Sequence, residues 1–417
     1  MKKVKVGVIG AGRGKDLFER GELIPNAEFV AMCDKWEVGL EPFKGKCATY
    51  TDFDEFLKHD MDAVVLANYA HEHAPFAIKA MKAGKHVFSE VLPFNTLKEG
   101  VELIEAIEET GKIYAYGENY CYRKAPYEMR KLYREGKLGE FEYGEGEYIH
   151  NSESIWPEIA YGDKNHWRNN MYSTFYCTHS LGPIIHITGL RPVSVVGFES
   201  VDNTRRLRTG CKGGQYAVEM VTLENGGIVK SIHGDLYRDS VWYSIYCSKG
   251  SAESSREAVE KDGAVRIYTN IDSESGAYDG QWQTYQPTFG YDEVAAQAGH
   301  GGSDFYSIYH FIEYLSGNEN ADIIDVYEAA DMFLPGVFAY RSILAGGIPM
   351  EIPNFREKAE RDKWRNDTAC TIPEKAGDML LPTCKSGTPE IDDAVYEKQR
   401  KLWEKVLEER RQKQQEK

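Results

Sequence analysis

The sequence predicts an α/β domain with a doubly wound parallel sheet, followed by an α+β domain with a large, mostly antiparallel open sheet. Short β-branched runs alternate with helical patterns through residue 123, the arrangement of a parallel α/β sheet. A glycine-rich turn, Gly10-Ala11-Gly12-Arg13-Gly14, follows the first run directly. From Glu140 the apolar period changes to two, which marks a sheet that the first domain does not contain.

Val4, Val6, Val8 and Ile9 predict a buried first strand. A strand running through glycines into a helix lets backbone N–H groups approach a pyrophosphate, and the helix N-terminus adds partial positive charge. A second strand, residues 27–33, ends at Asp34. A carboxylate there accepts hydrogen bonds from an adenosine ribose and repels a 2′-phosphate. These features predict a Rossmann domain over residues 1–123 that binds NAD. Lys15 stands where the third glycine of G-x-G-x-x-G would be, and the same turn can also close a βα unit with nothing bound.

Residues 51–58 predict a helix, 62–68 a third strand, 73–81 a helix closed by Gly84, and 85–90 a fourth strand. Thr96 and Glu99 form a capping box, and Leu97, Val101, Ile104 and Ile107 give an apolar helix face that ends at Gly111. Residues 113–116 predict a fifth strand. Ligands of such sheets sit beyond the carboxyl ends of the strands, which places Asn68, Tyr69, Glu90 and Asn119 on the rim with the glycine turn.

The second domain is expected over residues 124–350. A helix over 125–137, closed by Gly139, opens it. Phe141, Tyr143, Glu145, Glu147 and His150 then mark an alternating strand. Further strands are predicted at 193–199, 215–223, 228–236 and 241–247, with a hairpin at Asn225-Gly226-Gly227. Helices over 304–315 and 326–344 cover the sheet, whose wide face predicts a homodimer or homotetramer. Residues 351–417 form an extension that ends in a charged helix over 392–417, with Val395, Leu402, Val406 and Leu407 along one side.

The 417 residues carry a formal charge of -16, which argues against nucleic acid or an anionic membrane as partner. No run approaches the roughly 20 apolar residues of a membrane span. The N-terminus lacks a secretory h-region and the eight cysteines include no C-x-x-C pair, so a cytoplasmic chain with reduced thiols is expected.

The densest polar and aromatic cluster is residues 166–183, HWRNNMYSTFYCTHSLGP. Arg168, Tyr176 and His179 can orient a hydroxylated ligand and move protons. Tyr176 and His179 face one way if the segment is helical. The same pair could also be core residues bonded to backbone. The 27 tyrosines and 7 tryptophans offer aromatic faces that suit the C–H face of a sugar. His300-Gly301-Gly302 offers a second candidate rim, or a glycine-assisted helix start. No metal site is assigned, either at His71 and His73 or at His179 and His300.

Over roughly residues 1–345 the chain resembles the Gfo/Idh/MocA oxidoreductase superfamily: GVIGAGRG, Asp34, AMKAGKHVFSE and a C-terminal sheet domain. It is most similar to the branch of NAD-dependent glycosidases typified by the family 109 α-N-acetylgalactosaminidases. The shared segments are Glu90-Val91, Glu118-Asn119-Tyr120-Cys121-Tyr122, Gly146-Glu147-Tyr148-Ile149-His150, Trp167-Arg168, Tyr176 to Pro183, and Gly299 to Phe305. The resemblance implies that Arg13, Gly14, Asp34, Glu90, Val91 and Asn119 contact NAD, beside Gly10, Gly12 and Asn68 on the same rim. It implies that Tyr148, Arg168, Tyr176, Cys177, Thr178 and His179 contact the sugar, with His300 on the neighbouring rim.

The activity so implied is redox-neutral glycoside hydrolysis: oxidation at C3, elimination of the C1 aglycone, water addition and re-reduction, with NAD retained. Tyr176 is the expected C2 base and His179 the group at the C3 hydroxyl, roles the two could exchange. Ser89-Glu90-Val91-Leu92-Pro93 lacks the superfamily's relay lysine, and Phe175 stands where its aspartate would be. Tyr237-Arg238-Asp239 and Ala70-His71-Glu72-His73 depart from the branch, which implies a sugar other than N-acetylgalactosamine. The rival readings are a net NAD-dependent sugar dehydrogenase that forms 3-keto sugars, and a non-catalytic NAD-binding sensor.

Overall fold

The computed structural model describes residues 3–200, 203–256, 264–269 and 280–415. The first sheet holds six parallel strands: β1 (Val4–Ile9), β2 (Ala27–Cys33), β3 (Ala48–Tyr50), β4 (Ala63–Leu66), β5 (His86–Ser89) and β6 (Tyr114–Tyr116). Their order is β3-β2-β1-β4-β5-β6. β1 lies at the centre, where Val8 stands opposite Met32 on one side and Val65 on the other. All three are fully buried, as β-branched and apolar residues of a sheet covered on both faces must be. Strand order reverses between β1 and β4, and that switch point opens a crevice at the carboxyl ends.

The capping box forms as expected. Thr96 Oγ1 accepts from the Glu99 N–H and the Glu99 carboxylate accepts from the Thr96 N–H, while Gly111 ends the helix at φ 60°. β3 was not expected; three half-buried edge residues carry too little pattern to predict it.

The second sheet has nine strands: β7 (Phe141–Ile149), β8 (Pro192–Glu199), β9 (Tyr216–Leu223), β10 (Ile228–Gly234), β11 (Ser240–Cys247), β12 (Gly250–Ser254), β13 (Val265–Thr269), β14 (Gln281–Tyr285) and β15 (Met350–Glu351). Their order is β14-β13-β12-β11-β7-β10-β9-β8-β15. β7 and β10 run parallel; the other described pairs are antiparallel. The inner face, with Ala217, Val221 and Val229, is covered by the helices Cys177–Thr188 and Val326–Leu344. Gly146 of β7 permits this packing: a Cβ there would lie 1.8 Å from the Ser180 carbonyl oxygen. The helix can therefore sit directly on the strand, and this contact fixes the height of Tyr176 and His179 above the sheet.

Two expectations change. The opening helix of this domain is Lys124–Arg134, ended by Gly136 at φ 73°; the expected end at Lys137 took the later Gly139 as the closing residue. In the C-terminal helix Asp393–Gln415 the expected Val395, Val406 and Leu407 are half-buried, as is Trp403, and Tyr396 and Gln399 are buried, while the expected Leu402 is exposed. Among the described residues no helix is long and apolar enough to cross a membrane.

Candidate functional site

The turn after β1 allocates its glycines distinctly. Gly10 has φ 100°, and a Cβ there would lie 2.3 Å from the Ala67 carbonyl oxygen, so no side chain fits. A Cβ on Gly12 would meet no atom within 4 Å, because Gly12 opens onto a cavity. Gly14 does not line that cavity. Its missing Cβ would lie 2.7 Å from Val8 Cγ1, so it serves helix-on-strand packing rather than the expected cofactor contact. The packing glycine of the motif thus falls at position 14, not at Lys15.

Asp34 is braced beside this turn: one carboxylate oxygen accepts from the Ala11 N–H at 2.6 Å, the other from the Trp36 N–H at 2.8 Å. On the facing rim Asn68 Oδ1 is buried without a partner. An open glycine turn, a fixed carboxylate and an orphaned rim acceptor fit the pyrophosphate and polar edges of NAD.

Arg13, Asn119 and His300 converge on one residue the sequence reading did not single out, Asp304. The Arg13 guanidinium grips the Asp304 carboxylate at 2.8 and 2.7 Å, and its Nε donates to Glu90 at 2.9 Å. Asn119 Nδ2 donates to Asp304 at 2.8 Å, and His300 Nδ1 lies 2.9 Å from the same carboxylate. Burial alone would push the Asp304 carboxyl up; the Arg13 and His300 contacts outweigh it and hold it well below the usual carboxylate range. Asp304 lies in the helix Ser303–Leu315, so this network ties the glycine turn to the second domain. The Arg13 guanidinium is therefore committed to protein carboxylates.

A cavity of about 1070 Å³ runs from Gly12 and Asp34, past Glu90, Val91 and Asn119, to Tyr176 and His179. Tyr176 caps the buried helix Cys177–Thr188, and its ring stacks on His179 with centroids 5.5 Å apart and planes 4° from parallel. Arg168 Nη1 donates to the Tyr176 hydroxyl at 2.8 Å, with its guanidinium over the Trp167 ring. His179 Nδ1 is 2.8 Å from Glu118, a fully buried carboxylate. An ionised carboxylate only accepts, so this bond assigns the proton to Nδ1 and leaves the Nε2 lone pair free. Tyr120 and Tyr148 pack on the His179 ring at 4.7 and 4.6 Å.

Tyr148, Arg168, Tyr176, His179 and His300 line the cavity; Cys177 and Thr178 do not. Cys177 Sγ donates to the Met332 carbonyl beneath Gly336, and Thr178 Oγ1 donates to Glu118 at 2.8 Å. Their expected place as sugar contacts is corrected: both turn into the core and support the pair that flanks them. The structure adds two polar atoms on the cavity wall that are buried without partners, Ser173 Oγ and His233 Nε2. Burial pushes His233 down to about 3, so it is a neutral group there. Alternation along 228–236 could have pointed His233 to the inner face.

His73 is bonded to the Leu92 and Asn68 carbonyls. Among the described residues no three His, Cys, Asp or Glu side chains gather as a metal-ligand group.

Residues 4–118 match the family model of the oxidoreductase family with an NAD-binding Rossmann fold, and residues 241–366 match that of the glycosyl hydrolase 109 C-terminal domain. A glycosyl hydrolase family 109 protein of Solibacter usitatus is 27% identical, over 87% of this chain and 89% of its own. An α-N-acetylgalactosaminidase of Shewanella oneidensis is 25% identical, over 86% of each chain. Among solved structures, a myo-inositol 2-dehydrogenase from Lactobacillus plantarum shares the fold with a TM-score of 0.65 at 18% identity, over 84% of this chain and 100% of its own. A levoglucosan dehydrogenase in complex with NADH and L-sorbose does so with a TM-score of 0.70 at 16% identity, over 85% and 100%.

Fold, glycine turn and matches define an NAD-dependent enzyme of the Gfo/Idh/MocA superfamily. Within that superfamily the chain is glycosyl hydrolase family 109-like, which at the level of the family means an NAD-dependent glycosidase.

Proposed function

We propose that this protein hydrolyses a glycoside by a redox-neutral route that starts with oxidation at C3 of the sugar and keeps its NAD through the cycle. The observation that carries this reading is the paired stack: Tyr176 with Arg168 and His179 with Glu118 present two proton-handling groups side by side at one end of the cavity.

NAD, when bound along Gly10, Gly12 and Asp34, supplies a reversible hydride acceptor. His179 Nε2 takes the proton of the C3 hydroxyl as that carbon is oxidised, and Glu118 holds the imidazolium so formed. The ketone at C3 acidifies the C2 hydrogen. Tyr176 removes that proton as its phenolate, an anion that the Arg168 guanidinium stabilises from its place against the oxygen. The pair released at C2 forms the C1–C2 double bond, the C1–O pair leaves with the aglycone, and the aglycone takes a proton from solvent that the adding water later returns. Water then adds its oxygen to C1 and a proton returns to C2, after which C3 is reduced and His179 gives its proton back. Ordinary glycosidases flank the scissile bond with two carboxyl groups; here the carboxylate beside His179 is buried and already bonded to His179 and Thr178.

Purified protein, with no NAD added, should release p-nitrophenol from p-nitrophenyl glycosides of some sugar and anomer. No release, with NADH accumulating when NAD is supplied with a sugar, would replace this reading by a net dehydrogenase.

A further inference from the structure

The cavity has one wall that belongs to neither sheet. The C-terminal helix Asp393–Gln415 lies along the short helix Trp156–Ala160 and the loop after it. Tyr396 donates to the Gly210 carbonyl and Arg400 to the Gly162 carbonyl. Gly162 sits so close that a Cβ would lie 2.3 Å from the Arg400 nitrogen. Lys164 pairs with Asp393 at 2.9 Å near one end of the helix, and Arg410 pairs with Glu158 towards the other. From this seat Trp403, Leu407 and Arg410 face the cavity.

Trp403 continues an aromatic row that starts on the first domain. Its ring is 5.1 Å from Tyr161, Tyr161 is 5.6 Å from His166, and His166 is 5.1 Å from Tyr69. Tyr69 follows Asn68 on the NAD rim. Burial raises the Tyr69 hydroxyl to about 12, and Asp34 adds to the rise. The Tyr161 hydroxyl is raised too, again by burial first, with Asp34 adding and Arg168 opposing. Tyr69, Tyr161 and Trp403 line the cavity together with Asp34, the carboxylate that faces an adenosine ribose.

We propose that the C-terminal helix is a clasp over the adenosine half of NAD, with Trp403 as a cofactor-binding residue and the Arg410–Glu158 pair as its latch. Both family models end before residue 367, so the clasp lies outside the matched segments. It suits a cycle that returns the cofactor to its starting state, because nothing is gained when such a cofactor leaves. The clasp rests on the NAD site itself and does not depend on which glycoside is cleaved.

The test is calorimetric titration of the full chain, stripped of nucleotide, with NADH and with ADP-ribose, which keeps the adenosine half and lacks the nicotinamide. Trp403→Ala should weaken both by the same factor of about tenfold, the loss of one stacked aromatic face. Leu402→Ala, on the outer side of the same helix, should leave both unchanged. If Trp403→Ala leaves ADP-ribose binding unchanged, or raises only the glycoside KM, the helix walls the substrate instead and the proposal is overturned. Wild-type protein that binds neither nucleotide would overturn the NAD site as well.

Discussion

Arg13 and Asp304 form a two-pronged ion pair across the boundary between the glycine turn and the second sheet domain. Asp304 is buried, and Asn119 and His300 donate to it as well. Asp304→Ala would leave Arg13 facing Glu90 alone and remove the acceptor from two further groups. A loss of about 3 kcal/mol in unfolding free energy is expected, together with weaker NADH binding. Urea unfolding and NADH fluorescence titration check the two effects.

Glu118 fixes the tautomer of His179 from a fully buried position. Glu118→Gln keeps the shape but lets an amide nitrogen face Nδ1. The imidazole then loses both its orientation and the charge that stabilises its protonated form. We expect kcat to fall by about 10²-fold or more, with NAD content unchanged. Tyr176→Phe should fall by a similar factor, because only the hydroxyl held by Arg168 is lost. Steady-state kinetics alongside the cofactor content of the purified variants distinguish these losses from misfolding.

His310 predicts an acid-sensitive fold. Its Nδ1 accepts from the Asp322 N–H at 3.1 Å and its Nε2 meets the Tyr127 hydroxyl at 3.2 Å, an arrangement of the neutral ring. Burial lowers it to about 4. The unfolded chain takes up its proton near pH 6.5, before the folded one does. Its contribution is therefore complete above that pH and is lost as pH falls towards 4, by about 2 kcal/mol at roughly pH 5. The difference in urea stability between about pH 7.5 and 5 should shrink by that amount in His310→Gln.

The outer face of the second sheet bears exposed Phe198, Ile228 and Tyr246. We propose that a second copy of the chain covers it. Light scattering should then give a multiple of 47.3 kDa, and Phe198→Lys with Tyr246→Lys should reduce the mass to one chain.

The first domain was legible because its signals are local. β-branched runs, the capping box at Thr96 and the glycine turn each state their own structure within a few residues. What the sequence hid depends on distant partners. The parallel pairing of β7 with β10 is set by where helix Cys177–Thr188 comes to rest on Gly146, and no local pattern specifies it. Contiguity in a motif also misled: Cys177 and Thr178 read as contacts because they adjoin Tyr176 and His179, yet helical geometry points them inward. Asp304 and Glu118 stood in the recognised segments without a role, because a buried carboxylate shows its purpose only beside the cation or imidazole it holds. Trp403 lies more than 200 residues beyond His179, and only tertiary packing brings both to one cavity.

The central claim is that Tyr176 and His179 carry out elimination and re-addition rather than direct displacement. Its most direct test is proton NMR of the sugar released from a glycoside in D₂O. The account predicts deuterium at C2 of the product and none in recovered unreacted glycoside held without enzyme. A fully protonated C2 in the released sugar would contradict it.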